Sequence, residues 1–233
     1  MITLYNGAIP ETAMGCRIKT LYNCYKDIPN AVDLYTDGVA VVCRFENTLL
    51  ATEGADIEQL LSFAKILGVT EIEMESKELI EANGWQSDTH PILCRDCAGE
   101  SETPFLSSLK ECFEIICASD DDFADNANYL YWLSDITRRQ NYGCAKAYCK
   151  NSAAAVVSAV SENTAYLSAV AVCPQNRKEG RASQLLTVLC NDKMLSNRRI
   201  YTAAQTNAVA KLYLKNGFSP LEKSVITLKR SKF

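Results

Sequence analysis

Apolar and polar positions change period several times between residues 39 and 85. Val39 to Phe45 and Thr48 to Ala51 are β-rich runs split by Glu46-Asn47, the pattern of a hairpin with a short turn. Ile57, Leu60, Leu61, Ala64 and Leu67 then recur at helical spacing. Asp56 with Gln59 resembles a capping box before this helix, and Gly68 stands where a terminating glycine belongs. Val69 to Met74 alternates Ile72 and Met74 against Glu71 and Glu73, as a half-buried strand does. Ser76 to Asn83 reads as a short helix ended by Gly84-Trp85.

The same order returns further along. Ala153 to Val160 and Ala165 to Val172 form a strand pair. A helix from Arg181 to Ser196 follows, with Ala182, Leu185, Leu186 and Leu189 on one face, and Arg199 to Ala204 is a strand again. A last helix spans Ala208 to Asn216, so that Asn216-Gly217-Phe218 echoes Asn83-Gly84-Trp85. An internal duplication accounts for this better than a chance strand-helix-strand pattern. Pro91, Gly99 and Pro104 lie in a polar stretch, which places a linker over His90 to Phe105. Beyond it Glu111 to Cys117 reads as a strand. Asp120 opens a helix carrying Trp132 and Ile136 and ended by Gly143, Cys144 to Cys149 is a strand, and the last strand lies around Ser224 to Leu228. The expected organisation is two domains, 1–100 and 101–233. The fold class is mixed α/β, with a smaller α/β N-terminal domain before the second.

Composition narrows the class of function. The 233 residues are 48% hydrophobic and 22% charged, which fits a globular protein. A formal net charge of -4 lacks the basic excess that a nucleic-acid partner needs. Met1 to Cys16 has neither a basic stretch nor an apolar core of a signal peptide, and Ser152 to Cys173 is broken by Glu162 and Asn163. The expectation is a cytoplasmic protein with no membrane partner. Eleven cysteines, an odd number well below the density of disulfide scaffolds, read as free or incidental thiols. His90, Cys94 and Cys97 have partial zinc spacing, but a closed site needs four ligands, so no metal is expected.

The segment Val172 to Ser183 lies between a strand and an amphipathic helix. A strand that stops, a glycine turn and a helix that starts leave backbone N–H groups aimed one way, with the positive end of the helix dipole behind them. Such an arrangement cradles phosphate. Gly180 permits close backbone approach, Ala182 leaves the helix start unobstructed, and Arg177 and Arg181 can add charge-assisted bonds to a diphosphate. Arg177, Gly180 and Ala182 match the Arg/Gln-x-x-Gly-x-Gly/Ala loop of the GNAT superfamily of acetyl-CoA-dependent N-acyltransferases, which residues 108–228 resemble. Asn207, Ala210, Leu212, Tyr213, Lys215, Gly217 and Phe218 supply the second motif in the family's order.

The resemblance implies the GNAT fold, a central mixed and mostly antiparallel sheet flanked by helices, and acetyl-CoA as cosubstrate. Its pyrophosphate would be held by Arg177, Lys178, Gly180, Arg181, Ala182 and Ser183, and its pantetheine arm would run beside Val170, Ala171 and Val172. Asn207 and Lys215 would lie near CoA, and Tyr213 would be the acid that protonates the departing thiolate. Lys178 and Glu179 depart from the family pattern, and Glu179 is unfavourable beside a diphosphate unless it points outward. The strand Ala165 to Val172 lacks the carboxylate that many members use as a base, so no general base is assigned. Asp121, Asp122 and Asp125 either attract a cationic amine or complement the dipole of the helix they begin. The expected partner is a small-molecule amine or a protein amine, with a homodimer as the candidate assembly. The alternative function is a catalytically inactive acyl-CoA-binding regulatory or interaction module. In the first half, Thr52-Glu53-Gly54-Ala55-Asp56 is acidic where a phosphate cradle should be neutral or basic, and Ile80 falls where Tyr213 would, so that half is expected to be a degenerate, non-catalytic copy.

Overall fold

A computed structural model describes residues 1–100 and 108–230. In chain order the elements are β1 (Thr3–Leu4), α1 (Ala13–Tyr25), β2 (Val32–Thr36), β3 (Val41–Phe45), β4 (Thr48–Ala51), α2 (Ile57–Leu67), β5 (Glu71–Ser76) and β6 (Trp85–Asp96). They continue with α3 (Leu109–Cys117), α4 (Asp121–Asn126), α5 (Tyr129–Asn141), β7 (Lys146–Lys150), β8 (Ala153–Val160), β9 (Thr164–Val172), α6 (Arg181–Cys190), β10 (Arg199–Ala203), α7 (Asn207–Lys215) and β11 (Ser219–Arg230). No helix among the described residues is long and apolar enough to cross a membrane.

The chain divides into two compact units. Unit 1 comprises Met1–Leu93, Ala203–Ala210 and Pro220–Phe233, and unit 2 comprises Cys94–Thr202 and Lys211–Ser219. In unit 1 the strands lie in the order β1-β2-β3-β4-β5-β11. β4 and β5 are parallel, the other neighbours antiparallel. Asp56 caps α2 by accepting from the amides of Glu58 and Gln59, and Gly68 ends it at φ 70°. Leu60 and Ala64 of this helix are fully buried with Leu49, Ile72, Met74, Ile226 and Leu228, each large side chain contributing about 1.5–3 kcal/mol by leaving water. β11 follows α7 in sequence yet completes the sheet of unit 1, Ser224 to Lys229 pairing with Ser76 to Glu71.

The polar edge of this packing depends on one lysine. Lys223 Nζ donates to Glu75 Oε1 at 3.1 Å and to Glu53 Oε2 at 2.6 Å. Glu75 is 2% exposed, and its other oxygen accepts from the Met14 amide at 3.3 Å. Removing the cation leaves a buried carboxylate with a single neutral donor. Lys223→Met should therefore destabilise the protein by about 3 kcal/mol, the low end of the cost of breaking a buried pair. Chemical denaturation checks this against Lys229→Met, whose more exposed ammonium lies 3.9 Å from Glu71 and should cost little.

Unit 2 orders its strands β7-β8-β9-β10, with β9 and β10 parallel and the other pairs antiparallel. Cys112, Ile115 and Ile116 of α3 and Ile136 of α5 cover Ala147, Ala154, Val156 and Ala171 of the sheet. The succession β3-β4-α2-β5 in unit 1 is repeated as β8-β9-α6-β10 in unit 2, each time with a helix joining two parallel strands.

Five expectations change. The one helix expected from Asp120 to Gly143 is two, α4 and α5, because Ala127 is extended at ψ 128° and Asn128 caps a new helix through the Tyr131 amide. Glu111 to Cys117 is helical, because Ser108 caps it through the Glu111 amide and Cys112, Ile115 and Ile116 share one buried face. Ser76 to Asn83 forms no helix: Ser76 stays in the β5–β11 ladder, and its hydroxyl takes the Glu78 amide at 3.0 Å in a local turn. Strand β6 occupies His90 to Asp96, where the linker was expected, while Ser101 to Phe105 of that linker lie outside the described residues. Helix α6 stops at Cys190 and not at Ser196, since the Asp192 carboxylate captures the Met194 amide at 2.8 Å and starts a separate turn.

Candidate active site

Parallel pairing between β9 and β10 runs from Thr164 with Arg199 to Leu167 with Thr202 and goes no further. β9 continues for five more residues. Its register with β8 shifts at this point, from Leu167 with Val157 to Ala169 with Val156, so Ser168 is an extra residue, a bulge that bends the strand. Its hydroxyl donates to Val156 O at 3.1 Å. Val170, Ala171 and Val172 lie beyond the bulge, paired on one side with Ala155, Ala154 and Ala153. Val172 O accepts from Ser119 Oγ at 2.9 Å and from Arg177 Nε at 3.3 Å, so it faces away from β8. Residues alternate edges along a strand, which turns the N–H and C=O of Val170 to that same open side.

The turn into α6 has two residues in the left-handed region, Lys178 at φ 66° and Gly180 at φ 78°. Gly180 caps the helix and offers no side-chain acceptor. The first helical bond is Gln184 N–H to Gly180 O at 3.0 Å, so the amides of Arg181, Ala182 and Ser183 precede the helix's own hydrogen bonding. A Cβ placed on Gly180 would meet nothing within 4 Å. Three aligned amides, a helix dipole and open space over a glycine fit a diphosphate.

The arginines are committed elsewhere. Arg177 Nη2 donates to Ser119 O at 3.0 Å, clamping the end of β9 to the end of α3. Arg181 donates to Glu179 Oε2 at 2.9 Å and to Asn151 O at 2.6 Å. Glu179 thus has its charge balanced within the loop. Ser183 Oγ accepts from Asn216 Nδ2 at 3.1 Å, and Asn216 O accepts from Arg95 Nη1 at 2.6 Å, which joins the start of α6 to the end of α7.

Tyr213 sits in the last turn of α7, 3% exposed, its ring centroid 5.1 Å from that of Phe218. Burial raises its phenol above the ordinary value of 10.0, with the Thr202 side chain opposing the shift in part. Thr202 is the last residue of β10 paired with β9.

Other candidates are placed differently. Asn207 is the first residue of α7 and exposed, while Thr206 does the capping through the Val209 amide at 3.3 Å. Lys215 is exposed in the last turn. Asp120 caps α4 through Phe123, Asp121 and Asp122 occupy its first turn, and Asp125 is exposed one turn on. Cys97 is hydrogen-bonded to Cys190, and burial acts with that bond to keep its thiol protonated. Among the described residues no group of three or more His, Cys, Asp or Glu side chains is arranged to hold a metal. Ser119 stands in no motif; its hold on Val172 O at the end of β9 comes from a partner distant in sequence.

Unit 1 lacks such a cradle. The Asp56 carboxylate already fills the α2 terminus, accepting from Glu58 at 3.0 Å and Gln59 at 3.1 Å, while Asp37 takes the Asp56 amide at 2.8 Å. β4 stays paired with β5 along its whole length, Thr48 to Ala51, so no edge opens. The full chain should accordingly bind one CoA and not two, as the stoichiometry of an isothermal titration will report.

This strand that parts from its parallel neighbour, followed by a glycine-capped helix, belongs to a recognisable architecture: the chain has the fold of the GCN5-related N-acetyltransferases. It is similar to such a protein from Kribbella flavida, with a TM-score of 0.60 and 10% identity over 94% of this chain and 95% of that one. It is similar also to one from Sphaerobacter thermophilus, with a TM-score of 0.55 and 12% identity over 100% and 97%. A tandem GNAT protein from the clavulanic acid biosynthesis pathway matches over 100% of both chains, with a TM-score of 0.53 and 12% identity. No protein-family model and no curated protein matches the sequence.

Proposed function

We propose that the protein is an N-acetyltransferase that moves an acetyl group from acetyl-CoA to a primary amine, with its chemistry in unit 2. The observation that carries this reading is the glycine-capped start of α6, open above Gly180, directly after a strand whose outer edge is unpaired beyond Leu167. The similarity to full-length acetyltransferases, one of them tandem, supports it.

In this reading the amides of Arg181, Ala182 and Ser183 hold the diphosphate. The Val170 edge of β9 hydrogen-bonds the pantetheine arm and steadies the negative charge that develops on the thioester oxygen. The neutral amine attacks the thioester carbon directly in a ternary complex, the carbon–sulfur bond breaks, and Tyr213 gives its proton to the leaving sulfur. No acetyl group becomes attached to the protein. β9 supplies no carboxylate, so the amine loses its proton to water. Unit 1, a degenerate copy whose helix terminus is closed by Asp56, has no part in the chemistry. The acceptor is a small-molecule or a protein amine.

Thiol release from acetyl-CoA, measured against a panel of amino acids, polyamines, aminoglycosides and peptides with free N-termini, tests the proposal. Amine-dependent release with at least one member supports it. CoA binding without release across the panel would favour an inactive acyl-CoA-binding module.

A further inference from the structure

We infer that Arg177 is a specificity-determining residue for the acyl donor: it latches the outer end of the open β9 edge at Val172, and a donor carrying a diphosphate draws the latch away. The inference rests on the reading of that edge and of the α6 start as the acetyl-CoA site.

Val172 O, on the open side of β9, already has two donors, Ser119 Oγ at 2.9 Å and Arg177 Nε at 3.3 Å. A carbonyl oxygen has two lone pairs, so an amide of an incoming pantetheine arm finds no acceptor there while both donors stay. Their holds differ. Ser119 has a single hydroxyl proton and a nearer acceptor, Ile115 O at 2.7 Å, between which and Val172 O that proton is shared. Arg177 makes the closure firm, because the same guanidinium sends Nη2 to Ser119 O at 3.0 Å and so holds β9 and the end of α3 with two bonds.

An anion can undo this latch. Both acceptors of Arg177 are neutral carbonyls, and among the described residues no carboxylate pairs with it, whereas Arg181 is balanced by Glu179 at 2.8 Å. Arg177 is exposed and lies three residues before Gly180, the cap of the helix start that holds the diphosphate in this reading. A phosphate carries charge and accepts two parallel N–H bonds from a guanidinium, which makes it the stronger partner. The diphosphate contacts Arg177 only in the unlatched state, so its binding shifts the side chain away from Val172 O and frees that oxygen for the arm. A thioester without a diphosphate meets the edge still closed.

The test is titration of the full chain with two probes, CoA and pantetheine, the arm without phosphate. The amide NMR signals of Val170 and Val172 follow it, since they report weak as well as tight binding. Arg177→Met, which keeps the stem and removes every N–H of the side chain, should bind pantetheine about 3- to 10-fold more tightly than the wild type, the worth of one competing hydrogen bond. It should bind CoA more weakly, because the lost phosphate bonds outweigh the lost latch. Arg177→Lys keeps a cation for the diphosphate without the fork that bridges two carbonyls, so it should gain as much for pantetheine and lose less for CoA. Lys178→Met removes a neighbouring cation without touching Val172 O, and its pantetheine affinity should stay at the wild-type value. Pantetheine affinity equal in the wild type and Arg177→Met, absent from both, or weaker in the variant would overturn the inference, while CoA binding by the wild type leaves the acetyl-CoA reading standing. A wild type that binds neither probe would overturn both. If Arg177→Met does not fold, Arg177→Lys decides in the same way.

Discussion

Tyr213→Phe should lower kcat by about 10²–10⁴, the range for loss of one positioned proton donor, while CoA affinity and thermal stability change little. The ring stays, and with it the contact to Phe218; only the hydroxyl is lost. The sign of the pH dependence follows from burial. Desolvation raises the phenol above 10.0, so it remains protonated throughout the neutral and mildly alkaline range. The wild-type rate should therefore climb with pH towards the pKa of the acceptor amine and show no downturn below pH 10.0 from this group. Single-turnover kinetics, in which product release cannot hide the chemical step, make the measurement. An unchanged rate would return Tyr213 to the role of a core aromatic.

Gly180→Val should weaken CoA binding by at least about 100-fold, since losing two charge-assisted bonds at roughly 1.5 kcal/mol each amounts to about 3 kcal/mol. Two effects act together. The open space over Gly180 would be filled by the side chain, and a β-branched residue is strained at φ 78°. Gly180→Ala separates them, because it meets the backbone strain with far less bulk. Arg181→Ala should have a small effect, below the ~1.5–3 kcal/mol of a charged hydrogen bond, as its guanidinium is bound to Glu179 and Asn151. Titration calorimetry on all three variants orders them. A Gly180→Val protein that binds CoA as the wild type does would remove the backbone cradle from the account.

Local signals carried much of the fold. Helix α2 was legible because every determinant lies within thirteen residues: the Asp56 cap, the apolar face of Leu60 and Ala64, and Gly68 at its end. The loop at Gly180 was legible for the same reason, its strand, turn and helix being contiguous. Helix α1 was not read, although Met14, Ile18 and Leu21 of its buried side recur at helical spacing; Gly15 and Thr20 on the same side are weak helix formers. Glu111 to Cys117 is short and rich in β-formers, and its true signal, the Ser108 cap, lies three residues before it. The location of β11 depends on pairing with β5, 148 to 158 residues earlier in the chain, from Ser224 opposite Ser76 to Lys229 opposite Glu71. No local period encodes that. The same holds for the site: Tyr213 stands in a motif, while Ser119, which donates to Val172 O across 53 residues, stands in none.

Amide hydrogen exchange on the full chain, with and without CoA, examines the central claim most directly. The account predicts slowed exchange at Arg181, Ala182 and Ser183 and at Val170 and Val172 on the open edge of β9, with Glu58 and Gln59 at the Asp56-capped start of α2 unchanged. Protection at the start of α2, or CoA binding with no change at Arg181 to Ser183, would contradict it.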